Sequence, residues 1–173
     1  MSQAFVAVLM GSDSDLPVMQ ATLDVLGTLG VPYEVKITSA HRTPQATKEY
    51  VQSADERGCV AFICAAGMAA HLAGAVSAQT LKPVIGVPIN ASLEGMDALL
   101  ATVQMPAGIP VATVAIGKAG AKNAAYLAAQ IAATADSALR QRLIDDRRAS
   151  AENVQAKDAA LQTELQARQT AKA

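Results

Sequence analysis

The chain has 173 residues, of which 51% are hydrophobic, 17% are charged and 3% are aromatic. That length predicts one domain, and the apolar fraction is sufficient for a packed core, which excludes a chain that is disordered throughout. Because 14 Lys and Arg balance 15 Asp and Glu, the chain has no basic field with which to bind nucleic acid or an acidic membrane surface.

Apolar runs alternate with helical patterns from the start of the chain. Residues 4–10 are apolar throughout, which is typical of a strand buried on both faces. The helix predicted after this strand has Ser14 or Asp15 available as its N-cap and Gly30 after its end. Residues 33–37 form the second predicted strand.

The same alternation continues through the middle of the chain. Thr43 and Pro44 predict a helix start, with Thr as the N-cap and Pro in the first helical position, and Gly58 follows the end of that helix. A short helix is expected at residues 96–103. Three further strands are predicted at residues 60–64, 84–87 and 111–116. Five apolar strands that alternate with helices require parallel pairing with helices on both faces, which predicts a three-layer α/β/α fold with a doubly wound parallel sheet, flavodoxin-like or Rossmann-like.

The C-terminal part is predicted to be helical. No strand pattern occurs after about residue 119, and apolar residues become sparse after residue 150. We expect one α/β domain over residues 1–150 and a C-terminal helical extension over residues 151–173. The extension is either an arm that lies on another subunit or a frayed helix, and the Ala-rich, apolar composition favours the arm.

The cysteines and the first residues of the chain indicate the cellular compartment. Cys59 and Cys64 are expected to be reduced core thiols rather than a disulfide or a metal pair. We expect no signal peptide, because the first apolar run has no basic segment before it, and no transmembrane helix, because no apolar stretch reaches about 18 residues. These features predict a cytoplasmic protein.

Three polar or glycine-rich loops follow predicted strands, at residues 11–15, 39–44 and 66–71. Ligands of open parallel sheets bind outside the carboxyl ends of the strands, where the strand order reverses. Both histidines of the chain, His41 and His71, lie in these loops. The loops are therefore the candidate binding site.

The first loop, GSDSD, has the groups that a ribose 5-phosphate requires. The hydroxyls of Ser12 and Ser14 and the amides of a helix start favour a phosphate, and the carboxylate of Asp15 suits a ribose diol. The alternative is that Ser14 and Asp15 only cap the helix. The pattern is neither a dinucleotide fingerprint nor a P-loop.

The second loop, SAHRTP, adds a cation and a proton carrier. Arg42 offers a planar donor fork for phosphate, and Ser39 adds a hydroxyl. His41 can give and take a proton near neutrality, so it is the candidate general acid and base. The alternative is a surface His-Arg pair.

The third loop is apolar apart from one imidazole. Gly67 and the alanines that follow would bring backbone close to a ligand while leaving a dry cavity, whereas His71 alone favours a structural role. IGKAG resembles part of a Walker motif superficially, but it lacks the other residues of that motif. No group of residues has metal-ligand spacing, and we expect no metal.

These motifs resemble a known family. GSDSD, SAHRTP, AGMAAHLAG, VIGVPI and DALLATVQMPAGIPVATVAIGKAGAKNAA are similar, in order and spacing, to the PurE family of N5-carboxyaminoimidazole ribonucleotide mutases of purine biosynthesis. The resemblance covers about residues 4–148. Met68 stands where Gly is common in that family, and Ala73 stands where Pro is common.

The resemblance implies a homo-octamer and a reaction that uses no metal, ATP or organic cofactor. The carboxyl group would move from the exocyclic nitrogen of the substrate to ring carbon C4 through trapped CO2, with His41 carrying the proton. The alternatives are a direct aminoimidazole ribonucleotide carboxylase and a non-catalytic, flavodoxin-like nucleotide-binding domain. The residues expected to bind the small-molecule substrate are Ser12, Ser14, Asp15, Ser39, Arg42, Gly67, Ala70, His71 and Leu72.

Overall fold

Five parallel strands form one sheet in this computed structural model, which describes residues 4–170. The strands are β1 (Phe5–Met10), β2 (Tyr33–Ile37), β3 (Cys59–Gly67), β4 (Val84–Ile89) and β5 (Ala112–Thr113). The helices are α1 (Leu16–Thr28), α2 (Pro44–Glu56), α3 (Leu72–Ser77), α4 (Met96–Val103), α5 (Gly117–Ala132) and α6 (Ser137–Thr170). The strand order is β2-β1-β3-β4-β5, and helices cover both faces, so the predicted three-layer fold is confirmed.

β1 is the centre of two hydrophobic cores. All six of its residues are buried. Val6 and Val8 belong to the core that contains α1 and α5, whereas Ala7 and Leu9 belong to the core that contains α2 and α3. The alternation of side chains along a strand accounts for this division, because successive residues face opposite sides of the sheet.

Of the two edge strands, β2 has its predicted bounds and β5 is shorter than predicted. β2 is at one edge of the sheet and its residues are not buried. An edge strand pairs with one neighbouring strand, whereas a central strand pairs with two. β5 was predicted over residues 111–116, but only Ala112 and Thr113 pair with β4. The remaining predicted residues, 114–116, lead from β5 into α5, whose first residue, Gly117, has a positive φ of 72°.

α6 is the predicted C-terminal extension. It has 34 residues, which corresponds to a length of about 50 Å, and Leu139 is its one buried residue in the described part. The helix passes residue 150 without a break, so the secondary structure does not mark the boundary expected there. Residues 171–173 of the predicted extension lie outside the described residues.

Two further expectations concern membrane helices and thiols. Among residues 4–170, no helix is long and apolar enough to cross a membrane. Cys59 and Cys64 are buried free thiols on β3, as predicted. Burial raises the pKa of the Cys59 thiol to about 11 and raises that of Cys64 further, so both are protonated at neutral pH.

Candidate active site

Four loops meet at the carboxyl edge of the sheet, where the strand order reverses between β1 and β3. Nη2 of Arg42 donates to the carbonyl oxygen of Gly11 at 3.1 Å, which joins the loops after β1 and β2. His41 Nε2 lies 2.8 Å from His71 Nδ1, which joins the loops after β2 and β3. The loop after β3 also touches the loop after β4, because a Cβ on Gly67 would lie 2.9 Å from the Cβ of Ala91.

The first loop begins with a 3-10 turn over Asp13–Asp15 that Ser12 caps. The Oγ of Ser12 accepts a hydrogen bond from the amide of Ser14 at 3.3 Å and another from the Ser14 hydroxyl at 2.9 Å. Asp15 occupies the N-cap position of α1 but makes no side-chain capping bond. The predicted N-cap position is therefore correct for Asp15, but its side chain does not cap α1, and the side-chain cap in this loop is made by Ser12 on the 3-10 turn.

Asp15 instead has its side chain at the edge of a cavity. The residue is only 8% exposed. Burial raises the pKa of this carboxyl, and hydrogen bonding to the backbone of Ser12 and Gly11 opposes the rise. Because the carboxyl does not cap α1, it is available to accept hydrogen bonds from the hydroxyl groups of a ligand.

The second loop is a tight turn between β2 and α2. The Oγ of Ser39 accepts a hydrogen bond from the amide of Arg42 at 3.1 Å. Thr43 occupies the N-cap position of α2, as predicted, but its side chain makes no capping bond. Its hydroxyl oxygen instead accepts a hydrogen bond from the amide of Ser39 at 2.9 Å. These bonds curl the loop so that its central residues, His41 and Arg42, line the cavity.

The two imidazoles form an edge-to-face pair. Their ring centroids are 4.9 Å apart and the ring planes meet at 85°. A hydrogen bond between His41 Nε2 and His71 Nδ1 requires a hydrogen on one nitrogen and a lone pair on the other. The pair in this geometry is therefore neutral or carries one additional proton, and a proton can pass between the rings. His71 does not cap α3, although it occupies the N-cap position of that helix.

The cavity enclosed by these loops has a volume of about 360 Å³ and two kinds of wall. The polar wall consists of Ser12, Ser14, Asp15, Ser39, His41 and Arg42. The remaining wall consists of Gly11, Ala40, Ala66, Gly67, Met68, Ala69, Leu72 and Ala91. Such a division suits a ligand with a charged or hydroxylated part and a small part that must stay away from water.

A larger groove of about 640 Å³ lies at the amino edge of the sheet. Its charged groups are occupied with one another, since Lys82 Nζ lies 3.7 Å from Asp55 Oδ1 and the Thr80 hydroxyl donates to Asp55 Oδ2 at 2.8 Å. None of the predicted site residues lines this groove. The smaller cavity is the candidate active site because it brings together an imidazole, a guanidinium and a buried carboxyl.

Met68 and Gly67 shape the apolar wall. Met68 has a φ of 53°, in the left-handed region that favours glycine, and it is 61% exposed. Gly67 allows the close approach to the loop after β4, since a side chain there would collide with Ala91. The apolar wall therefore depends on backbone geometry as well as on side chains.

Two predicted site residues do not line the cavity. Ala70 is buried, and its carbonyl oxygen lies 3.5 Å from the hydroxyl of Thr102. His71 contacts the cavity through His41. Sequence reasoning missed Ala91, although its position two residues after the end of β4 is a signal, because the carboxyl ends of parallel strands meet at one edge of the sheet.

Comparisons with known proteins identify the family of this chain. A family model described as AIR carboxylase matches residues 5–153. The chain belongs to the AIR carboxylase family. It is 53% identical over 152 residues to the N5-carboxyaminoimidazole ribonucleotide mutase of Escherichia coli K12, an alignment that covers 87% of this chain and 90% of that protein. It is 49% identical over 161 residues to the mutase of the same name from Mycobacterium leprae, covering 92% and 93%.

The structural comparison finds the same fold in a solved structure. The crystal structure of Treponema denticola PurE superposes with a TM-score of 0.83 at 28% sequence identity, covering 92% of this chain and 99% of that one. The AIR carboxylase match ends at residue 153, within α6. Most of the exposed end of α6 therefore lies beyond the family model.

Proposed function

We propose that this chain is an N5-carboxyaminoimidazole ribonucleotide mutase of purine biosynthesis. The observation that carries the proposal is the 53% identity to an enzyme of that name over nearly its whole length. The cavity supports the same function, because it combines donors for a phosphate with a small apolar compartment. We propose further that the substrate is the only partner bound at this site and that the enzyme works in the cytoplasm.

Binding of the nucleotide is assigned to the polar wall. The amides at the start of the 3-10 turn and of α1 favour an anion, and Arg42 lines the cavity with its guanidinium 3.1 Å from the Gly11 carbonyl oxygen. The hydroxyls of Ser12, Ser14 and Ser39 add donors for phosphate oxygens. Asp15 accepts hydrogen bonds from the ribose hydroxyls.

The reaction moves one carboxyl group and one proton. The bond between the exocyclic nitrogen and the carboxyl carbon breaks, the nitrogen takes a proton from His41, and CO2 is released inside the cavity. Ring carbon C4 then attacks CO2, and the hydrogen on C4 passes to His41, which restores its starting state. The apolar wall from Gly67 to Leu72 keeps CO2 close to C4 and keeps water out, so the second step occurs at a high effective concentration.

His71 supports the proton transfer. Its Nδ1 lies 2.8 Å from His41 Nε2, so it can orient the catalytic ring and share its proton. Gly67, Ala70 and Leu72 belong to the proposed binding loop. Gly67 and Leu72 line the cavity, whereas Ala70 is buried and supports the loop.

Direct carboxylation of aminoimidazole ribonucleotide is the second candidate function. The matching family model carries the description AIR carboxylase, and the same cavity would serve that reaction. The deciding experiment compares two assays at low CO2: the purified protein with N5-carboxyaminoimidazole ribonucleotide, and the protein with aminoimidazole ribonucleotide and bicarbonate. Fast turnover in the first assay is expected. Turnover in the second assay alone would establish the carboxylase, and turnover in neither would leave a binding domain.

His41→Asn tests the proposed mechanism. We expect turnover to fall by about 100-fold or more, because Asn cannot carry the proton, while the substrate still binds through Arg42 and the serines. Steady-state rates and the equilibrium affinity for the substrate measure the two effects. Near-normal rates in this variant would contradict the assignment of His41.

We also propose a homo-oligomer, with the octamer of the family as the expected state and with residues 151–173 as an arm on a neighbouring subunit. Exposed apolar stripes support an oligomer, because a monomer rarely leaves them uncovered. One stripe, on α4, consists of Met96, Leu100 and Val103. Size-exclusion chromatography with light scattering measures the mass, and a monomer in solution would contradict this proposal.

A further inference from the structure

Three threonine hydroxyls meet beneath the loop that carries His41. Thr38 Oγ1 lies 2.6 Å from Thr47 Oγ1 and 3.3 Å from Thr43 Oγ1. Thr38 follows β2, Thr43 precedes α2, and Thr47 lies in the second turn of α2. The threonine cluster, as we call Thr38, Thr43 and Thr47, therefore connects both ends of the loop over residues 39–43.

The buried members of the cluster have few alternative partners. Thr38 is 4% exposed and Thr47 is 3% exposed. The hydroxyls can be satisfied in one consistent chain: Thr38 donates to Thr47 Oγ1, Thr47 donates to the carbonyl oxygen of Thr43 at 3.0 Å, and Thr43 donates to the carbonyl oxygen of Ser39 at 3.2 Å. A buried hydroxyl that loses its partner is costly, so this chain resists distortion.

The cluster also determines the backbone of the loop. Thr43 Oγ1 accepts a hydrogen bond from the amide of Ser39 at 2.9 Å, and the Thr43 amide donates to the Ser39 carbonyl at 2.9 Å. Both backbone polar groups of Ser39 are thus bound to Thr43. His41 is in the middle of the turn that these bonds close.

We propose that the threonine cluster positions His41 for proton transfer. The hydroxyl of Thr43, which its sequence position assigns to capping α2, is used for this purpose instead. The cluster holds the loop in the conformation in which His41 Nε2 reaches His71 Nδ1. Displacement of a catalytic group by about 1 Å can cost about 100-fold in rate. The catalytic part of this inference rests on the proposed mutase function, whereas the placement of the imidazole does not.

The test compares Thr47→Val with two other variants. Val retains the shape of Thr47 and removes its hydroxyl, whereas Thr47→Ser retains the hydroxyl. Thr22→Val is the matched control, because Thr22 is fully buried and its hydroxyl donates to the carbonyl oxygen of Ala121 at 2.8 Å, between α1 and α5. We expect kcat/KM to fall about tenfold or more in Thr47→Val, to recover within about threefold in Thr47→Ser, and to remain unchanged in Thr22→Val.

A second measurement separates positioning from activity. The chain has two histidines, so selective isotope labelling gives a simple NMR spectrum of the imidazoles. Thr47→Val is expected to shift the His41 and His71 signals, whereas Thr22→Val is expected to leave them unchanged. All assays and spectra are recorded at a temperature at which each variant is fully folded, as judged by circular dichroism.

The outcomes are distinct. Unchanged imidazole signals in Thr47→Val would overturn the positioning role, as would equal effects of Thr47→Val and Thr22→Val on signals and rates. If the wild-type protein lacks mutase activity, the proposed function fails, and the NMR comparison alone decides whether the cluster places His41.

Discussion

Asp15 lies at the start of α1 with its carboxyl group buried beside the cavity. The backbone amides around it would favour an anion, and a charged carboxylate is costly to bury. The charged form of Asp15 therefore reduces the stability of the fold, and a functional role would account for its presence. Asp15 therefore connects the stability of the fold to the proposed contact with the ribose.

Asp15→Asn tests this connection. Because burial raises the pKa of Asp15, the folded state binds its proton more tightly than the unfolded chain does. The stabilising effect is fully present below the ordinary Asp pKa of about 4 and is lost as the pH rises through the higher pKa of the folded state. We expect Asp15→Asn to have a higher Tm than the wild type at pH 7, a smaller advantage near pH 4, and weaker substrate binding.

Thermal unfolding across this pH range measures the effect. Asp24→Asn is the control, because it removes a carboxylate from the exposed side of the same helix. A difference in Tm that is independent of pH would contradict the role assigned to burial.

Arg42 is the residue at which the phosphate assignment can be tested. Hydrogen bonds to charged groups contribute about 1.5–3 kcal/mol, so Arg42→Ala is expected to raise KM about 10- to 100-fold with a smaller effect on kcat. Arg140→Ala, which removes the same charge from an exposed position on α6, is expected to leave KM unchanged. Steady-state kinetics of both variants decide the matter, and an unchanged KM in Arg42→Ala would argue against the phosphate contact.

At the scale of elements, the sequence predicts most of the strands, helices and loops that depend on a local pattern of residues. The continuous apolar run of β1 correctly indicates burial on both faces, and the loops that follow β1, β2 and β3 do line one cavity. The contact between His41 and His71 could not be predicted, because it joins residues 30 positions apart whose separation depends on packing. The hydrogen bond between the Thr43 hydroxyl and the Ser39 amide could not be predicted either. Capping is the usual role of a Thr that precedes Pro at a helix start.

The start of α5 contains a glycine with a packing role that the sequence pattern does not indicate. The GKAG sequence at its first turn resembles part of a nucleotide-binding motif, but the structure gives Gly120 a packing role. A Cβ on Gly120 would lie 1.5 Å from the carbonyl oxygen of Ala115. Only glycine allows the chain after β5 to turn so closely onto α5.

Gly120→Ala is therefore expected to lower the free energy of unfolding by about 3 kcal/mol. The backbone of Ala115 must move, and α5 packs on α1, β3 and β4. The matched control is Gly27→Ala in α1, where nothing lies within 4 Å of the added Cβ and where the change is expected to stabilise by up to about 1 kcal/mol. Chemical denaturation measures both values. Equal stability of Gly120→Ala and the wild type would show that the turn before α5 can relax.

At the scale of the whole molecule, several of the abundant alanines pack inside the subunit. α5 buries a stripe of alanines against α1 and the sheet: Ala121, Ala124, Ala125, Ala128 and Ala129. Small side chains allow a helix and a sheet to approach closely. Other alanines, such as Ala119 and Ala138, are exposed, so the buried stripe on α5 accounts for part of the alanine content.

Two stripes of large exposed apolar side chains lie on α4 and β2. Met96, Leu100 and Val103 are 48%, 48% and 49% exposed and follow the spacing of one helix face. Tyr33 and Ile37 belong to a second exposed stripe, on β2. Surfaces of this kind favour subunit contacts, because their burial removes apolar area from water.

Leu100→Glu tests whether the α4 stripe holds subunits together. A carboxylate in the middle of an apolar contact must be buried without a partner or must separate the subunits, so we expect a smaller particle by size-exclusion chromatography with light scattering. Gln130→Glu, at an exposed position of α5, adds the same charge and is expected to retain the mass of the wild-type assembly. A Leu100→Glu protein that is folded by circular dichroism and keeps the wild-type mass would exclude α4 from the subunit interface.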